Sequence, residues 1–260
     1  MSKTFRVLLT GAGGFVGHHT LAHLLKTTDW SFVCPDSFRH NGTTARLRAV
    51  EEEVPGFSRR VKVITHDLCA PIDEVTAKQI GEVDVIINMA SLSNVDYSID
   101  HPRKFVENNV ALQLSMLDFA RNLSHLKLFI QISTDEVYGD IIEGSHSETD
   151  LLKPSNPYSA TKAAADMLVQ AWARTYQIPY IIVRPTNNYG IGQYVEKLIP
   201  KTVKYLTVGK PIDLHDKGKP VRTWLHASDT ARAVLTIIDS GVINEIYSPH
   251  IVKTISEFNK

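Results

Sequence analysis

The most constraining feature of this chain lies at its start. Arg6–Thr10, an apolar run of strand length, passes directly into the turn GAGGFVG and then into a helical pattern. Gly11, Gly14 and Gly17 fall in a GxxGxxG spacing, and Phe15 and Val16 open the helix. Such a turn needs glycine for three reasons: a tight bend, a backbone free of Cβ where a pyrophosphate approaches, and close packing of helix on strand. The helix N-terminus then offers free N–H groups and a positive dipole end to phosphates. A glycine pattern alone also suits an ordinary tight turn. Its place between a strand and a helix is what the dinucleotide reading requires.

The rest of the chain repeats that rhythm. Short Val- and Ile-rich runs at Ser31–Cys34, Val61–Thr65, Val83–Asn88, Lys127–Ser133 and Tyr180–Arg184 predict strands. Helical patterns at Phe15–Lys26, Pro102–Arg121 and Asn156–Tyr176 lie among them. Continuously apolar strands alternating with helices predict an α/β fold, a doubly wound parallel sheet of the Rossmann type with ligands at the strands' carboxyl ends. The expected division is a cofactor-binding domain over residues 1–185 and a small, shortened C-terminal substrate lobe over 186–260. That lobe is interleaved with the sheet rather than independent, since Pro200, Pro211, Gly218 and Pro220 break the rhythm there. The closing strand and helix start end abruptly.

Charge and targeting signals exclude more than they assign. Lys+Arg and Asp+Glu balance at 28 each, so no global field favours nucleic acid or a membrane surface. No apolar run approaches the ~18 residues of a bilayer span, and the N-terminus lacks a secretory pattern, so a cytoplasmic location is expected. Cys34 and Cys69 are far apart without CxxC spacing, which reads as two small buried thiols with no metal site.

Asp36 follows the second strand near the ~20-residue offset of a ribose-binding carboxylate, which favours NAD over NADP. Arg39 and His40 stand close enough to keep NADP open, and a turn residue after Pro35 is the alternative for Asp36. Asp67, before Leu68 at the end of the third strand, suits an adenine amino group or a plain turn. Tyr158 and Lys162 form a YxxxK on one helix face, where a neighbouring ammonium would lower the phenol pKa and make a base. An exposed helix face is the other reading. Ser133-Thr134-Asp135-Glu136 ends a predicted strand; adjacent carboxylates suit an elimination, and a helix cap is the alternative.

With these residues in place, the chain resembles the extended short-chain dehydrogenase/reductase family, most of all its nucleotide-sugar 4,6-dehydratases. The matching stretches are TGAGGFVG, NMASLSNVDYSI, STDEVYG, PYSATKAAAD, RPTNNYG, VEKLIP and GKPVRTWLHASDTARA, across about residues 4–248. The resemblance implies an NAD enzyme that converts an NDP-hexose to an NDP-4-keto-6-deoxyhexose. Tyr158, with Lys162 and Thr134, would deprotonate the C4 hydroxyl as hydride leaves. Glu136 would take the C5 proton and Asp135 would protonate the departing C6 hydroxyl, before hydride returns to C6. It also implies that Asn88, Ala90 and Ser91 flank the cofactor. Ser93, Asn187, Glu196, Lys197, Leu198 and Arg222 would meet the nucleotide-sugar substrate. An epimerase or decarboxylase on the same scaffold, or a truncated NAD(H)-binding protein without catalysis, are the alternatives. Two positions depart from the family: Tyr97 stands where Arg is usual, and His215 where an aromatic commonly flanks the base. A homodimer is expected through helices starting near Pro102 and Asn156, with Met116, Leu117, Met167 and Leu168 either as its apolar contacts or facing the core.

Overall fold

The computed structural model describes residues 4–141, 144–219 and 221–249, and excludes the side chains of His215 and Asp216. The closing helix start and the base-flanking His215 side chain therefore lie outside the described residues.

In chain order the elements begin with β1 (Arg6–Thr10), α1 (Phe15–Thr27), β2 (Ser31–Asp36), α2 (Thr44–Glu53) and α3 (Phe57–Arg60). Next come β3 (Val61–Thr65), α4 (Glu74–Ile80), β4 (Val85–Asn88), α5 (Val95–Asp100) and α6 (Pro102–Phe105). They continue with α7 (Ala111–Ala120), β5 (Leu128–Ile132), α8 (Pro157–Tyr176), β6 (Tyr180–Val183) and β7 (Asn187–Tyr189). The last are α9 (Leu198–Thr207), β8 (Trp224–His226), α10 (Ala227–Ser240) and β9 (Ile246–Tyr247). The main sheet has seven strands in the order β3-β2-β1-β4-β5-β6-β9, and its neighbouring strands run parallel. This reversal of order at β1 opens a crevice outside the strands' carboxyl ends.

Alternation along each strand builds two cores. Val7 and Leu9 of β1 join Leu21 and Leu24 of α1 and Val234 and Ile237 of α10 on one face. Leu8 turns to the other face, with Leu112 and Met116 of α7 and Val169 of α8. Both faces are covered, which is why these strands read as unbroken apolar runs. From residue 186 onward the chain divides between two places. β7 and β8 pair in a separate two-stranded sheet, whereas β9 joins the main sheet and α10 packs beside α1. α9 buries none of its residues.

One expectation is corrected here, and one open choice is decided. The helix predicted over Pro102–Arg121 is three pieces, because a π-helical turn at Val106–Val110 separates α6 from α7. That turn aims the buried Asn109 inward, where its Nδ2 donates to Thr161 Oγ1 (2.9 Å) and the Leu92 carbonyl (3.1 Å), and its Oδ1 accepts from Leu92 N (2.8 Å). Periodicity does not register a single polar side chain satisfied by distant partners. Met116 and Leu117 are fully buried in the core, so they are not free for a partner; Met167 is exposed and Leu168 packs on the core.

Cys34 is buried in the core, and Cys69 is half-buried with its thiol on Asn108 Oδ1 (3.3 Å); both are free thiols. Burial pushes both thiols up, Cys69 to about 11. Among the described residues no helix is long and apolar enough to cross a membrane. Nor do three or more metal-ligating side chains gather there as a cation site.

Candidate active site

At the end of β1 the glycines are required by contact. A Cβ on Gly17 would sit 2.0 Å from the Gly11 carbonyl, and one on Gly11 would meet the Ala90 backbone at 3.0 Å. Gly14 caps α1 without a side chain, so the helix's first N–H groups face the turn unblocked, with Phe15 and Val16 half-buried beside them. Gly13, which the GxxGxxG spacing passes over, lies against Asp36: its N–H donates to Asp36 Oδ2 (3.2 Å). Phe38 N donates to Oδ1 (2.9 Å), which orients the carboxylate beside the glycine turn. The cradle therefore suits a pyrophosphate with a ribose hydroxyl pair next to it. Arg39 pairs with Asp67 (2.5 Å) at the surface.

Asp67 also accepts from Cys69 N (3.2 Å), the turn role that the sequence left open. Leu68 places its side chain in the core and leaves only main chain for a ligand. Asn88 is corrected in the same way. It is 1% exposed; its amide donates to Gln113 and Gln131, and its Oδ1 accepts from Thr10 Oγ1 (2.8 Å). Thr10 Oγ1 in turn accepts from the Met89 and Ala90 N–H groups, both at 3.0 Å. The Asn88 side chain thus braces the strand end beneath Ala90 and Ser91 rather than facing the crevice.

The catalytic candidates converge at the carboxyl end of β5. Thr134 caps a short 3-10 turn, Asp135–Tyr138, and its hydroxyl accepts from Glu136 N (3.3 Å) and donates to Asp135 Oδ1 (3.3 Å). Burial, then the charge of Glu136, pushes the Asp135 carboxyl up to about 6. Glu136 Oε2 accepts from Asn156 Nδ2 (3.3 Å). Asn156 also caps α8 reciprocally with Ser159, and Pro157 stands at the first helical position, a start signal visible in the sequence. The cap thus orients Glu136 and places Tyr158 at the head of the helix.

Tyr158 and Lys162 are both buried on α8. Lys162 Nζ donates to the Ile132 carbonyl (2.6 Å), and burial lowers it to about 8. Burial, followed by the Glu136 and Asp135 charges, raises Tyr158, while a hydrogen bond from Thr134 opposes the rise. Burial is the first cause of that rise, and the Lys162 amine is directed at the end of β5 through its bond to the Ile132 carbonyl.

The substrate-side candidates are more dispersed. Lys197 Nζ donates to the Ser93 carbonyl (3.0 Å), which joins the segment before α9 to the loop after β4. Asn187 lies on β7 opposite Trp224, while Glu196 and Leu198 are exposed. Arg222 is exposed and donates to the carbonyl of its neighbour Val221 (2.9 Å), so no contact gathers it with the others. The Tyr97 hydroxyl accepts from Lys104 Nζ (2.7 Å) on the outside of α5.

Sequence reading missed Arg46. Its guanidinium donates to the Gly13 carbonyl (3.1 Å), the Asn41 carbonyl, and the Gly192 carbonyl (2.8 and 3.1 Å). It straps the glycine turn to the loop after β7. His19 secures the same loop through the Ile191 carbonyl (2.8 Å). Spacing gave no signal for this contact, because its partners are main-chain atoms far along the chain.

Residues 7–248 match the model of the NAD dependent epimerase/dehydratase family. The low-salt glycan biosynthesis protein Agl12 of Haloferax volcanii is 37% identical over 251 residues, covering 93% of this chain and 76% of its own length. A dTDP-glucose 4,6-dehydratase of Salmonella typhimurium is 34% identical, over 94% of this chain and 71% of that protein. Among solved structures, DesIV, a dTDP-glucose 4,6-dehydratase of Streptomyces venezuelae with NAD and TYD bound, superposes with a TM-score of 0.86. It shares 34% identity, over 94% of this chain and 74% of that one. A family model over most of the chain and a relative 37% identical over 93% of it show that the chain belongs to the NAD dependent epimerase/dehydratase family.

Proposed function

We propose that the chain is a nucleotide-sugar 4,6-dehydratase. The observation that carries this reading is the pair Asp135 and Glu136, adjacent in sequence but unlike in surroundings. Asp135 is pushed up to about 6, so it takes and gives a proton nearer neutrality than an ordinary carboxyl, while Glu136 is oriented by Asn156. One acid beside one base is what loss of water requires. An epimerase on this scaffold would use Tyr158 and Lys162 and leave that pair without a task.

NAD, held by the turn at Gly11, Gly14 and Gly17 with Asp36 at its ribose, would supply an acceptor for hydride from C4 and a donor of hydride to C6. Asp67, Ala90 and Ser91, with the Leu68 main chain, would line its remaining edge. Tyr158 takes the C4 hydroxyl proton, Thr134 holds the same oxygen, and Lys162 carries positive charge behind them. Glu136 removes the proton from C5, made acidic by the neighbouring keto group. Asp135 delivers its proton to the departing C6 hydroxyl, and water leaves. No net oxidation results. Residues 186 onward form the substrate side, with Ser93, Asn187, Glu196, Lys197 and Leu198 nearest the sugar nucleotide. A homodimer through the outer faces of α7 and α8 belongs to the same reading, with Leu114 and Met167, 40% and 48% exposed, as its apolar contacts.

Mass spectrometry of the protein incubated with NAD and dTDP-, UDP-, GDP- and CDP-hexoses tests the reaction. Loss of one water from one of them is expected; an unchanged mass with inverted stereochemistry would replace the dehydratase by an epimerase. Asp135→Asn should lower dehydration by roughly 10²–10⁴-fold while leaving reduced-nicotinamide absorbance detectable. Dehydration at the wild-type rate would remove Asp135 from the mechanism.

The same substitution separates stability from function. The folded pKa of Asp135 lies above its ordinary 3.8, so its contribution is most favourable below that value and is lost as pH rises through about 6. Asp135→Asn should therefore be more stable than wild type above about pH 7, by about 1–2 kcal/mol after screening. The difference should vanish at about pH 4, and parallel melting curves across that range would contradict it.

A further inference from the structure

Behind the proposed site lies a pair of buried charges, Asp166 and Arg184, that the reaction does not use. Tyr158, Lys162 and Asp166 succeed one another at intervals of four on α8 and so share a face. Asp166 is 0% exposed, Lys162 3% and Arg184, at the end of β6, 1%. Arg184 Nε donates to Asp166 Oδ2 (3.0 Å), and its Nη1 donates to the Tyr138 hydroxyl (2.7 Å). Tyr138 closes the turn that begins with Asp135 and Glu136. One guanidinium therefore joins the helix bearing Tyr158 and Lys162 to the turn bearing the two carboxylates.

A buried ion pair is seldom the most stable way to fill a core, since well-packed apolar residues of similar volume often serve as well or better. The charge of Asp166 has a different effect. Burial lowers Lys162, and Asp166 is the charged group that opposes this. Burial pushes Asp166 itself up, and Arg184, first among the opposing groups, with Ser133 and Lys162, works against that rise. The groups around Lys162 are Tyr158 and Asp166 on its helix, the Ile132 carbonyl on β5, and Arg184 behind Asp166; Asp135 and Glu136 on the turn act on Tyr158.

We propose that Asp166, clamped by Arg184, is a positioning residue that keeps the Lys162 side chain charged and directed at the end of β5. The proposal rests on the reading of Tyr158 and Lys162 given above, and its test is chosen to be independent of turnover. In protein carrying ¹³C-labelled lysine side chains, Lys162→Met identifies the Lys162 signal, and its titration is followed in wild type, Asp166→Asn and Asp166→Glu. The wild-type midpoint is expected at about 8. Asp166→Asn should move it down by at least about one pH unit, and Asp166→Glu should restore it. A midpoint unmoved by Asp166→Asn would overturn the proposal and leave Asp166 a structural partner of Arg184 only. Should Asp166→Asn fail to fold, the double exchange with Arg184→Gln removes both members of the ion pair, leaves no unpaired Arg184, and is read in the same way. Absence of turnover in the wild type would count against the proposed reaction alone, because the Lys162 titration decides this proposal with or without a substrate.

Discussion

Tyr158→Phe is expected to stop both the oxidation and the dehydration, with a loss of roughly 10³-fold or more. The exchange removes one oxygen and keeps the ring, whose edge packs against Phe105 with centroids 6.4 Å apart. The backbone N–H of Tyr158 keeps its bond to Ser98 Oγ (3.2 Å), so the helix start stays in place. Burial and the two nearby carboxylates raise the phenol, so it yields its proton only when positive charge gathers close to it. Stopped-flow absorbance of reduced nicotinamide, followed on adding substrate, checks the result. A variant that still accumulates reduced cofactor at the wild-type rate would take the base role away from Tyr158, whatever the effect on dehydration.

Gly17→Ala should cost the protein its cofactor and much of its stability. The added methyl would sit 2.0 Å from the Gly11 carbonyl and 2.8 Å from its carbon, both main-chain atoms of the turn. Neither can rotate aside, so α1 must move away from β1, and the first-turn N–H groups move with it. Overpacking of this kind commonly costs about 1–3 kcal/mol, and a backbone clash belongs at or above the upper end. Thermal melting with and without NAD measures both effects. An unchanged melt together with wild-type NAD affinity would show that the turn yields in a way this geometry does not allow.

The layers were legible in the sequence because each strand is short, apolar on both faces and close to its neighbours in the rhythm. β1 and β3 fall where the pattern placed them, and β4 and β5 start one or two residues later. Where prediction failed, a distant partner had decided the outcome. Asn109 interrupts the helix after Pro102 because Leu92 and Thr161 satisfy it. Asn88 is turned from the crevice by Gln113, Gln131 and Thr10. Met116 and Leu117 face the core rather than a partner, and an apolar side chain reads the same in both places until the helix is docked.

The sequence by itself determined which chemical groups could meet. A strand, a glycine turn and a helix specify a phosphate cradle through local backbone sterics alone, and intervals of four place Tyr158, Lys162 and Asp166 on one face. Tertiary structure decided what state those groups are in. Burial separates Asp135 from its ordinary carboxylate range, Asn156 selects one oxygen of Glu136, and Arg184 ties Asp166 to the turn of Tyr138. Spacing along a chain fixes direction within one element, whereas desolvation and Coulomb energy depend on every charge nearby, and folding brings those charges from far along the chain.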